Sequence, residues 1–262
     1  MYLYDCKEVS EMIKDQVKGY TNEYHLMPVA LTIITNGSKE GDRYIRNKIK
    51  VGIDCGIKIT LLNCNSHSPE EVIALIRSIS EPMIVQMPFT NDKATDEYII
   101  SHIPPEYDAD GLTKKALVNP ATAQGIFTYL KVNKCIEEKN IAIIGRSNLV
   151  GKPLAKMLMD TDATVTLCHS KTMNIKEITQ NADVIVSAVG NKEYFTLDHV
   201  NQEKMVRIVD VGINFNENGK LCGDIPKNAI GPRTFVTPVP GGVGLLTTAS
   251  LMHNVIKLHA RF

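Results

Sequence analysis

The chain has no excess of charge of either sign. Its 262 residues include 29 basic and 29 acidic side chains, and neither kind forms a block. A surface that attracts nucleic acid or an acidic membrane is therefore excluded, and any anion must be bound locally. The chain also lacks an apolar run long enough to span a bilayer. Its amino terminus has neither the cationic segment nor the apolar core of a secretory signal, so we expect a cytoplasmic protein.

Closely spaced metal ligands and cysteine pairs are also missing. The six cysteines are scattered without a C-x-x-C pair, which argues against a zinc site and against a disulfide framework in a chain of this size. Asp108 and Asp110 stand two apart, but no further carboxylates cluster near them. We therefore predict no metal site. The cysteine pattern favours a reducing compartment.

Helical and strand patterns alternate along the chain, which is typical of an α/β fold with parallel strands. Strands are predicted at 29–35, 58–62, 83–87, 141–144, 164–168, 183–187 and 206–210. Helices are predicted from a stripe of Val9, Met12, Ile13 and Val17, and over 44–54, 69–80 with Val72, Leu75 and Ile76 inward, 123–129 and 246–258; a further element covers 96–103. Two prolines at 104 and 105 separate two series. We predict two α/β domains, 1–118 completed by a carboxyl-terminal helix within 240–262, and 119–239.

A glycine turn lies between the strand 141–144 and an amphipathic helical pattern. Gly145 lets the chain turn tightly, and Gly151 lets the next helix pack close to the strand with its free N–H groups directed at an anion. The glycine spacing is not that of the usual G-x-G-x-x-G dinucleotide fingerprint, and Arg146 stands inside the turn. A phosphate-binding turn and a structural glycine turn with a solvated arginine both remain open.

The next strand indicates which dinucleotide this turn would bind. An NAD site expects an acid about 20 residues further on to hold the ribose 2′-hydroxyl. Here the strand ends in Cys168-His169-Ser170-Lys171, without an acid. Arg146, with help from Ser170, would suit a 2′-phosphate, so the sequence favours NADP over NAD. His169 is assigned no catalytic role.

Three polar side chains in the first series could carry chemistry. Tyr44 and Lys48 share one face of a predicted helix; a tyrosine can stack on a ring, and a lysine can move a proton. Gln86 ends an apolar strand, at the edge where open α/β sheets bind ligands. Its amide could hold the Lys48 ammonium or polarise a carbonyl. An amphipathic surface helix and an ordinary strand end would give the same patterns.

Three loops complete the set of candidates. One carboxylate of Asp108-Ala-Asp110-Gly111 could read a ligand edge of amidine type by paired hydrogen bonds, although a solvated aspartate turn fits as well. Thr237-Pro-Val-Pro-Gly-Gly-Val-Gly244 combines stiff prolines with glycines that permit close backbone contact with a ligand. In 209–214, Gly212 follows the last predicted strand at the same edge as the glycine turn.

Together these segments resemble the bifunctional methylenetetrahydrofolate dehydrogenase/methenyltetrahydrofolate cyclohydrolase family, in the family's order and over nearly the whole chain. The matching motifs are Tyr44-Ile-Arg-Asn-Lys48, Val85-Gln86-Met87-Pro88, Asp108-Ala-Asp110-Gly111, Gly145-Arg-Ser-Asn-Leu-Val-Gly-Lys-Pro153, Cys168-His-Ser-Lys-Thr172, Asp210-Val-Gly-Ile-Asn214 and Thr237-Pro-Val-Pro-Gly-Gly-Val-Gly244.

The resemblance implies an enzyme of one-carbon metabolism. It would oxidise 5,10-methylenetetrahydrofolate with NADP and hydrolyse the methenyl product to 10-formyltetrahydrofolate. It also implies a folate-binding catalytic domain, a Rossmann-type NADP-binding domain, an active-site cleft between them, and a homodimer formed through the NADP domain.

The family's functional residues carry over to matching positions of this chain. Catalytic roles fall to Lys48, with Gln86 tuning it, to Tyr44, which holds the folate, and to Asp110, which anchors the pterin. The remaining implied contacts are to folate at Val85, Met87, Pro240, Gly241, Gly242, Val243 and Gly244, and to NADP at Gly145, Arg146, Ser147, Ser170 and Ile213.

Some positions depart from the family's usual pattern. Residues 37–43, before Tyr44, lack the common Ala-Ser, and Tyr107 stands where a lysine is usual. Ala121 and Ala123 flank Thr122 in place of Cys and Pro, and Leu245-Leu246 replaces Pro-Met. None of these removes a proposed catalytic group.

Overall fold

The computed structural model describes residues 5–23, 28–192, 194–226 and 230–261, without the side chains of 39 and 40. The chain divides into two compact units. One, the three-stranded unit, comprises Glu11–Ala121 and Thr248–Phe262. The other, the five-stranded unit, comprises Met1–Ser10 and Thr122–Thr247. The ranges expected from the sequence placed the two boundaries at 118 and 240, and residues 1–10 with the first domain.

The described elements alternate as expected for an α/β protein. The helices are α1 Cys6–Glu23, α2 Lys39–Asp54, α3 Pro69–Ser78, α4 Lys93–Ile100, α5 Ala121–Val132, α6 Gly151–Met159, α7 Ile175–Asn181 and α8 Val243–His259, with a 3-10 turn at Leu197–His199. The strands are β1 Ala30–Thr35, β2 Lys58–Asn63, β3 Met83–Val85, β4 Asn140–Ile144, β5 Thr164–Cys168, β6 Val184–Ser187, β7 Val206–Asp210, β8 Asn214–Phe215, β9 Leu221–Cys222 and β10 Thr234–Val236.

The three-stranded unit is built on a parallel sheet of order β2-β1-β3. Both faces of the central strand are buried, as an all-parallel sheet requires. Ile33 belongs to a cluster with residues of α1 and α8, whereas Ile34 belongs to a cluster with residues of α3 and α4. A parallel bridge between Met83 and Asp108 extends the sheet beyond β3, and so brings the Asp108–Gly111 loop to this edge.

Local capping explains where two of the helices begin. Ser38 accepts a hydrogen bond from Gly41 N–H, so α2 begins at Lys39 and not at the predicted Tyr44. Ser68 and Glu71 form a capping box ahead of α3.

One of the side chains expected to face the core lies differently. Met12 is 43% exposed, although Val9, Ile13 and Val17 in the same helical stripe are buried. In α3, Val72, Ile73 and Ile76 are buried and Leu75 is partly buried against the same cluster, so the predicted inward face is confirmed. Met12 lies at the margin of its apolar face, where helical spacing alone does not separate a covered position from an open one.

The five-stranded unit contains a second parallel sheet, of order β10-β7-β6-β4-β5. Numbered by chain order within this sheet, the strands run 2-1-3-4-5, a common doubly wound arrangement. The predicted strands 141–144, 164–168, 183–187 and 206–210 are confirmed, with ends that shift by one residue at most. Strand β10 was not predicted, because it is only three residues long and the proline-rich loop follows it directly.

The last helix was predicted over 246–258 and extends over Val243–His259. Its carboxyl-terminal part belongs to the three-stranded unit, where the Asn254 side chain donates to the carbonyls of Ala109 and Asn119, each at 3.0 Å. No helix among the described residues is long and apolar enough to cross a membrane.

Gly151 is the position at which α6 meets β4. A Cβ on Gly151 would lie 1.8 Å from the carbonyl oxygen of Gly145, far inside van der Waals contact. Gly145 itself has φ +118°, which favours glycine. The sequence-based explanation of both glycines is therefore confirmed: one allows the turn and the other allows the close approach.

Gly151→Ala should destabilise the protein by about 1–3 kcal/mol, because the obstructing atom is backbone and cannot rotate away. The measurement is the urea midpoint of unfolding. Gly19→Ala serves as the control: Gly19 is an exposed position inside α1 with nothing within 4 Å of its Cβ site, so alanine there should be neutral or stabilising by up to about 1 kcal/mol. Equal midpoints for the two variants would contradict the packing argument.

Candidate active site

The edge at the carboxyl ends of β1 and β3 is where the three-stranded unit can bind a ligand. The chain passes from β1 to β2 on one side and then crosses to β3 on the other side of β1, so the strand order reverses at β1, and open α/β sheets bind ligands at such a switch point. Gln86 lies there, with its main-chain N–H donating to the carbonyl of Ile34 at 2.8 Å. Helix α2 carries Tyr44 and Lys48.

Lys48, Gln86 and Asp110 form one hydrogen-bonded group. Lys48 Nζ donates to Gln86 Oε1 at 3.2 Å and lies 3.4 Å from Asp110 Oδ2. The Lys48 and Asp110 side chains are 12% and 20% exposed, so the ion pair is mostly shielded from water but open on one side. Of the three donors of the ammonium, these contacts use two. The amide and ammonium meet as the sequence suggested.

The orientation of the Gln86 amide is fixed from its other end. Gln86 Nε2 donates to the main-chain carbonyl of Met87 at 2.8 Å. The amide oxygen is thereby turned toward Lys48 Nζ. A donor at one end and an acceptor at the other make this side chain a rigid holder for the ammonium.

Asp110 owes its position to a buried neighbour. Asp108 is 1% exposed, and its carboxylate accepts the main-chain N–H groups of Gly111 at 3.0 Å, Leu112 at 3.2 Å and Thr113 at 2.7 Å. Burial raises the pKa of Asp108, while the hydrogen bonds from Thr113 and Leu112 act to lower it. The interpretation of this loop as a solvated aspartate turn is therefore wrong for Asp108. Its role was missed, although an aspartate three residues before a glycine is a signal for such a turn.

Gly111 allows this loop to close. It has φ +69°, and a Cβ there would lie 2.7 Å from the backbone nitrogen of Pro120. The loop is thus held by the Asp108 carboxylate on one side and by chain packing on the other. Asp110 is presented to Lys48 from a well-supported position.

The other predicted folate contacts in this unit differ in accessibility. Tyr44 is 44% exposed, one helical turn before Lys48, and is available to a ligand. Val85 is 1% exposed and its side chain lies in the core, so a ligand could contact only its main chain. Met87 is half-buried against the same cluster.

The proline- and glycine-rich segment that ends at Gly244 belongs to the five-stranded unit, and its last two residues are the first of α8. Pro240, Gly241 and Gly244 are exposed, while Gly242 and Val243 are buried. Gly241 has φ +98° with open space at its Cβ position, and a Cβ on Gly242 would lie 2.2 Å from the carbonyl oxygen of Pro238. The loop therefore needs both glycines for its own conformation, and it keeps an open surface.

The glycine turn occupies the switch point of the five-stranded sheet. Gly145 follows β4, its N–H donates to the Cys168 carbonyl at 3.0 Å, and a Cβ on it would lie 2.4 Å from the carbonyl oxygen of Ala188 after β6. Only a residue without a side chain fits between the ends of β4 and β6. This narrow place, beside the amino terminus of α6, is where a dinucleotide phosphate would approach.

The predicted phosphate-binding side chains lie at the ends of adjacent strands. Ile144 of β4 is in register with Cys168 of β5, so Arg146 and Ser170 each stand two residues beyond one registered pair. Arg146, Ser147 and Ser170 are all exposed. Ile213, the remaining predicted contact, is 58% exposed at the same edge of the sheet. These residues fit a nucleotide that carries a 2′-phosphate.

No group of three or more His, Cys, Asp or Glu side chains that could hold a metal ion occurs among the described residues. All six cysteines are free.

A doubly wound sheet with a glycine turn at its switch point defines a Rossmann-type dinucleotide-binding unit, and the chain also contains a second α/β unit with a polar site. Comparison with known proteins agrees. The family model for the tetrahydrofolate dehydrogenase/cyclohydrolase, NAD(P)-binding domain, matches residues 120–262. The chain is 37% identical to the bifunctional protein FolD of Campylobacter hominis, over 98% of this chain and 96% of that protein.

Solved structures show the same relationship. The bifunctional FolD methylenetetrahydrofolate dehydrogenase/cyclohydrolase from Campylobacter jejuni superposes with a TM-score of 0.88 at 32% identity, covering 100% of both chains. The Trypanosoma brucei enzyme, solved with NADP cofactor and inhibitor, has a TM-score of 0.86 at 26% identity, covering 99% of this chain and 97% of that one. This chain belongs to the tetrahydrofolate dehydrogenase/cyclohydrolase family.

Proposed function

We propose that this protein oxidises 5,10-methylenetetrahydrofolate to the 5,10-methenyl cation with NADP, and hydrolyses that cation to 10-formyltetrahydrofolate. The observation that carries the proposal is the Lys48–Gln86–Asp110 group at the ligand-binding edge of the three-stranded unit. A dehydrogenase that needed only to align its ligands would have no use for a shielded, oriented ammonium. Hydrolysis of a cationic intermediate has such a use.

The oxidation requires little chemical assistance from the side chains of the protein. Lone pairs on the folate nitrogens stabilise the cation as hydride leaves, so no acid or base is required and alignment dominates. When bound, NADP supplies the hydride acceptor. The exposed edge formed by Gly145, Arg146, Ser147 and Ser170 would hold it, with Ile213 beside it.

The hydrolysis needs a proton to be moved. Water attacks the cationic carbon, one carbon–nitrogen bond breaks, and one proton is released. Lys48 is placed to assist that transfer, because Gln86 and Asp110 hold its ammonium in one position while a third donor direction remains. Tyr44, exposed one turn away, would hold the folate ring, and Asp110 would anchor the pterin.

Choice of cofactor rests on Arg146 and Ser170. The strand β5 ends without an acidic side chain that could bind a ribose 2′-hydroxyl, and both residues are exposed beside the turn. A guanidinium binds phosphate through charge-assisted hydrogen bonds. NADP is the cofactor that these groups fit.

The folate contacts at Val85, Met87 and Pro240–Gly244, a homodimer formed through the NADP-binding unit, and action in the cytoplasm are also part of the proposal. They rest on the family resemblance and on the balanced charge and cysteine pattern of the sequence.

Lys48→Met should lower the rate of methenyl hydrolysis by about 10²-fold or more, the usual contribution of a positioned proton-transfer group. NADP-dependent oxidation should persist, because that step needs no proton transfer by the protein. Stopped-flow absorbance of methenyl decay and of NADPH formation measures the two steps separately. Lys50→Met, an exposed lysine on the same helix, is the matched control. Hydrolysis at the wild-type rate would remove Lys48 from the mechanism.

Arg146→Ala should weaken NADP binding by about 1–3 kcal/mol, the cost of losing a charge-assisted hydrogen bond. NAD binding should change far less, since NAD lacks the 2′-phosphate. Isothermal titration calorimetry with each nucleotide gives the two affinities. Equal losses for NADP and NAD would show that Arg146 does not bind the 2′-phosphate.

A further inference from the structure

Two buried aspartates lie behind the nucleotide-binding edge and are not among the residues that the proposed mechanism uses. Asp210 ends β7 and is 3% exposed, and Asp224 follows β9 and is 0% exposed. A fully buried carboxylate is costly unless its oxygens are satisfied. What satisfies them shows what the two side chains do.

Asp224 is surrounded by donors from the loop after β6. Its Oδ2 accepts the N–H groups of Val189 at 2.9 Å and Gly190 at 3.2 Å, and its Oδ1 accepts that of Asn191 at 3.0 Å. The hydroxyl of Ser187, the last residue of β6, donates to Oδ2 at 2.9 Å. One carboxylate thus fixes the whole turn by which the chain leaves β6.

The same carboxylate also reaches the segment after β7. Asn214 Nδ2 donates to Asp224 Oδ1 at 2.9 Å. A Cβ on Gly212 would lie 2.2 Å from that oxygen, so only glycine leaves room for the carboxylate. Ile213 lies between these two residues, so its main chain is held from both sides while its side chain stays exposed.

Asp210 holds Asp224 in turn. Asp210 Oδ1 accepts the N–H groups of Asp224 at 2.9 Å and Gly212 at 3.0 Å, and Oδ2 accepts that of Ile225 at 3.0 Å. Because Asp210 is the last residue of a central strand, the arrangement is anchored in the sheet. The series of hydrogen bonds connects β7 through Asp224 to the loop after β6.

The loop that Asp224 organises lies at the switch point. It begins with Ala188, whose carbonyl oxygen would be 2.4 Å from a Cβ on Gly145 and whose N–H donates to the Ile144 carbonyl at 2.9 Å. A shift of this loop would move one wall of the place where the glycine turn receives a phosphate. Ile213 would lose its support in the same shift.

We propose that Asp224 is a positioning residue for the dinucleotide: its carboxylate aligns the 188–191 loop and Ile213 as two walls of the NADP site. The inference rests on the proposed NADP-linked function. Asp224 is fully buried and acts mainly through the main-chain groups that its carboxylate holds. Asn214 and Ser187 are its side-chain partners.

The test is Asp224→Asn, which keeps the size of the side chain but turns an amide NH₂ toward main-chain N–H donors. The Kd of NADP by calorimetry and the KM for NADP should rise about tenfold or more, as expected when bonds to a buried charge are lost. The kcat at saturating NADP, and methenyl hydrolysis, should stay within about twofold of wild type. A side chain needed only for folding would instead lower both activities together with the amount of folded protein.

Two further variants keep the test decisive. Ser187→Ala removes one donor to the carboxylate and should raise the KM for NADP about two- to fivefold, so the inference stays testable should Asp224→Asn not fold. Asp198→Asn removes an exposed aspartate of the same unit, one paired with Lys176 at 2.9 Å, and should leave all parameters unchanged.

Unchanged NADP affinity in a folded Asp224→Asn protein, or equal loss of hydrolysis and of NADP affinity, would overturn the inference. A wild-type protein that neither binds NADP nor reduces it would instead overturn the proposed function.

Discussion

Buried carboxylates that accept main-chain N–H groups organise the ligand-binding edge of each unit. Loops that leave the carboxyl ends of parallel strands carry N–H groups without a partner in the sheet, and buried N–H groups must find one. Asp108 supplies it in the three-stranded unit, and Asp210 and Asp224 supply it in the five-stranded unit. The loops can then be short and still hold a defined shape.

The presence of a separate ligand-binding edge in each unit explains how one chain could catalyse two unlike chemical steps. Hydride transfer needs a nucleotide held in one orientation, and the glycine turn, with Arg146 and Ser170 beside it, is suited to that. Hydrolysis needs a proton moved at one atom, and Lys48 is suited to that because Gln86 and Asp110 hold it. The loop that Asp108 holds supports only the Lys48 group. The loop that Asp224 holds supports only the nucleotide-binding edge.

The sequence predicted the fold well where a single physical signal dominates. Apolar runs such as 141–144 are confirmed as strands, and a doubly covered parallel strand is expected to bury consecutive side chains in this way. The roles of Gly145 and Gly151 were predicted correctly, because few residue types other than glycine fit such a turn. Strand β10 was missed because three residues are too few to show a strand pattern. Met12 was wrongly expected to be buried because it lies at the edge of the apolar face of its helix.

Some residues of the candidate site were predicted from the sequence and others were not. Spacing on one helix paired Tyr44 with Lys48, and the strand end suggested Gln86, but the roles came from the family resemblance. Asp224 could not be identified, because three of its partners are main-chain groups 33 to 35 positions earlier in the chain, and no side-chain pattern records such contacts. Val85 shows the converse: a motif position can be buried in the core.

The most direct test of the account follows pyridine-nucleotide reduction and methenyl decay separately, in reactions of the unmodified protein with 5,10-methylenetetrahydrofolate and either NADP or NAD. The account predicts reduction with NADP in preference to NAD, and decay of the methenyl product faster than in protein-free buffer. Absence of NADP reduction, or methenyl decay at the protein-free rate, would contradict it.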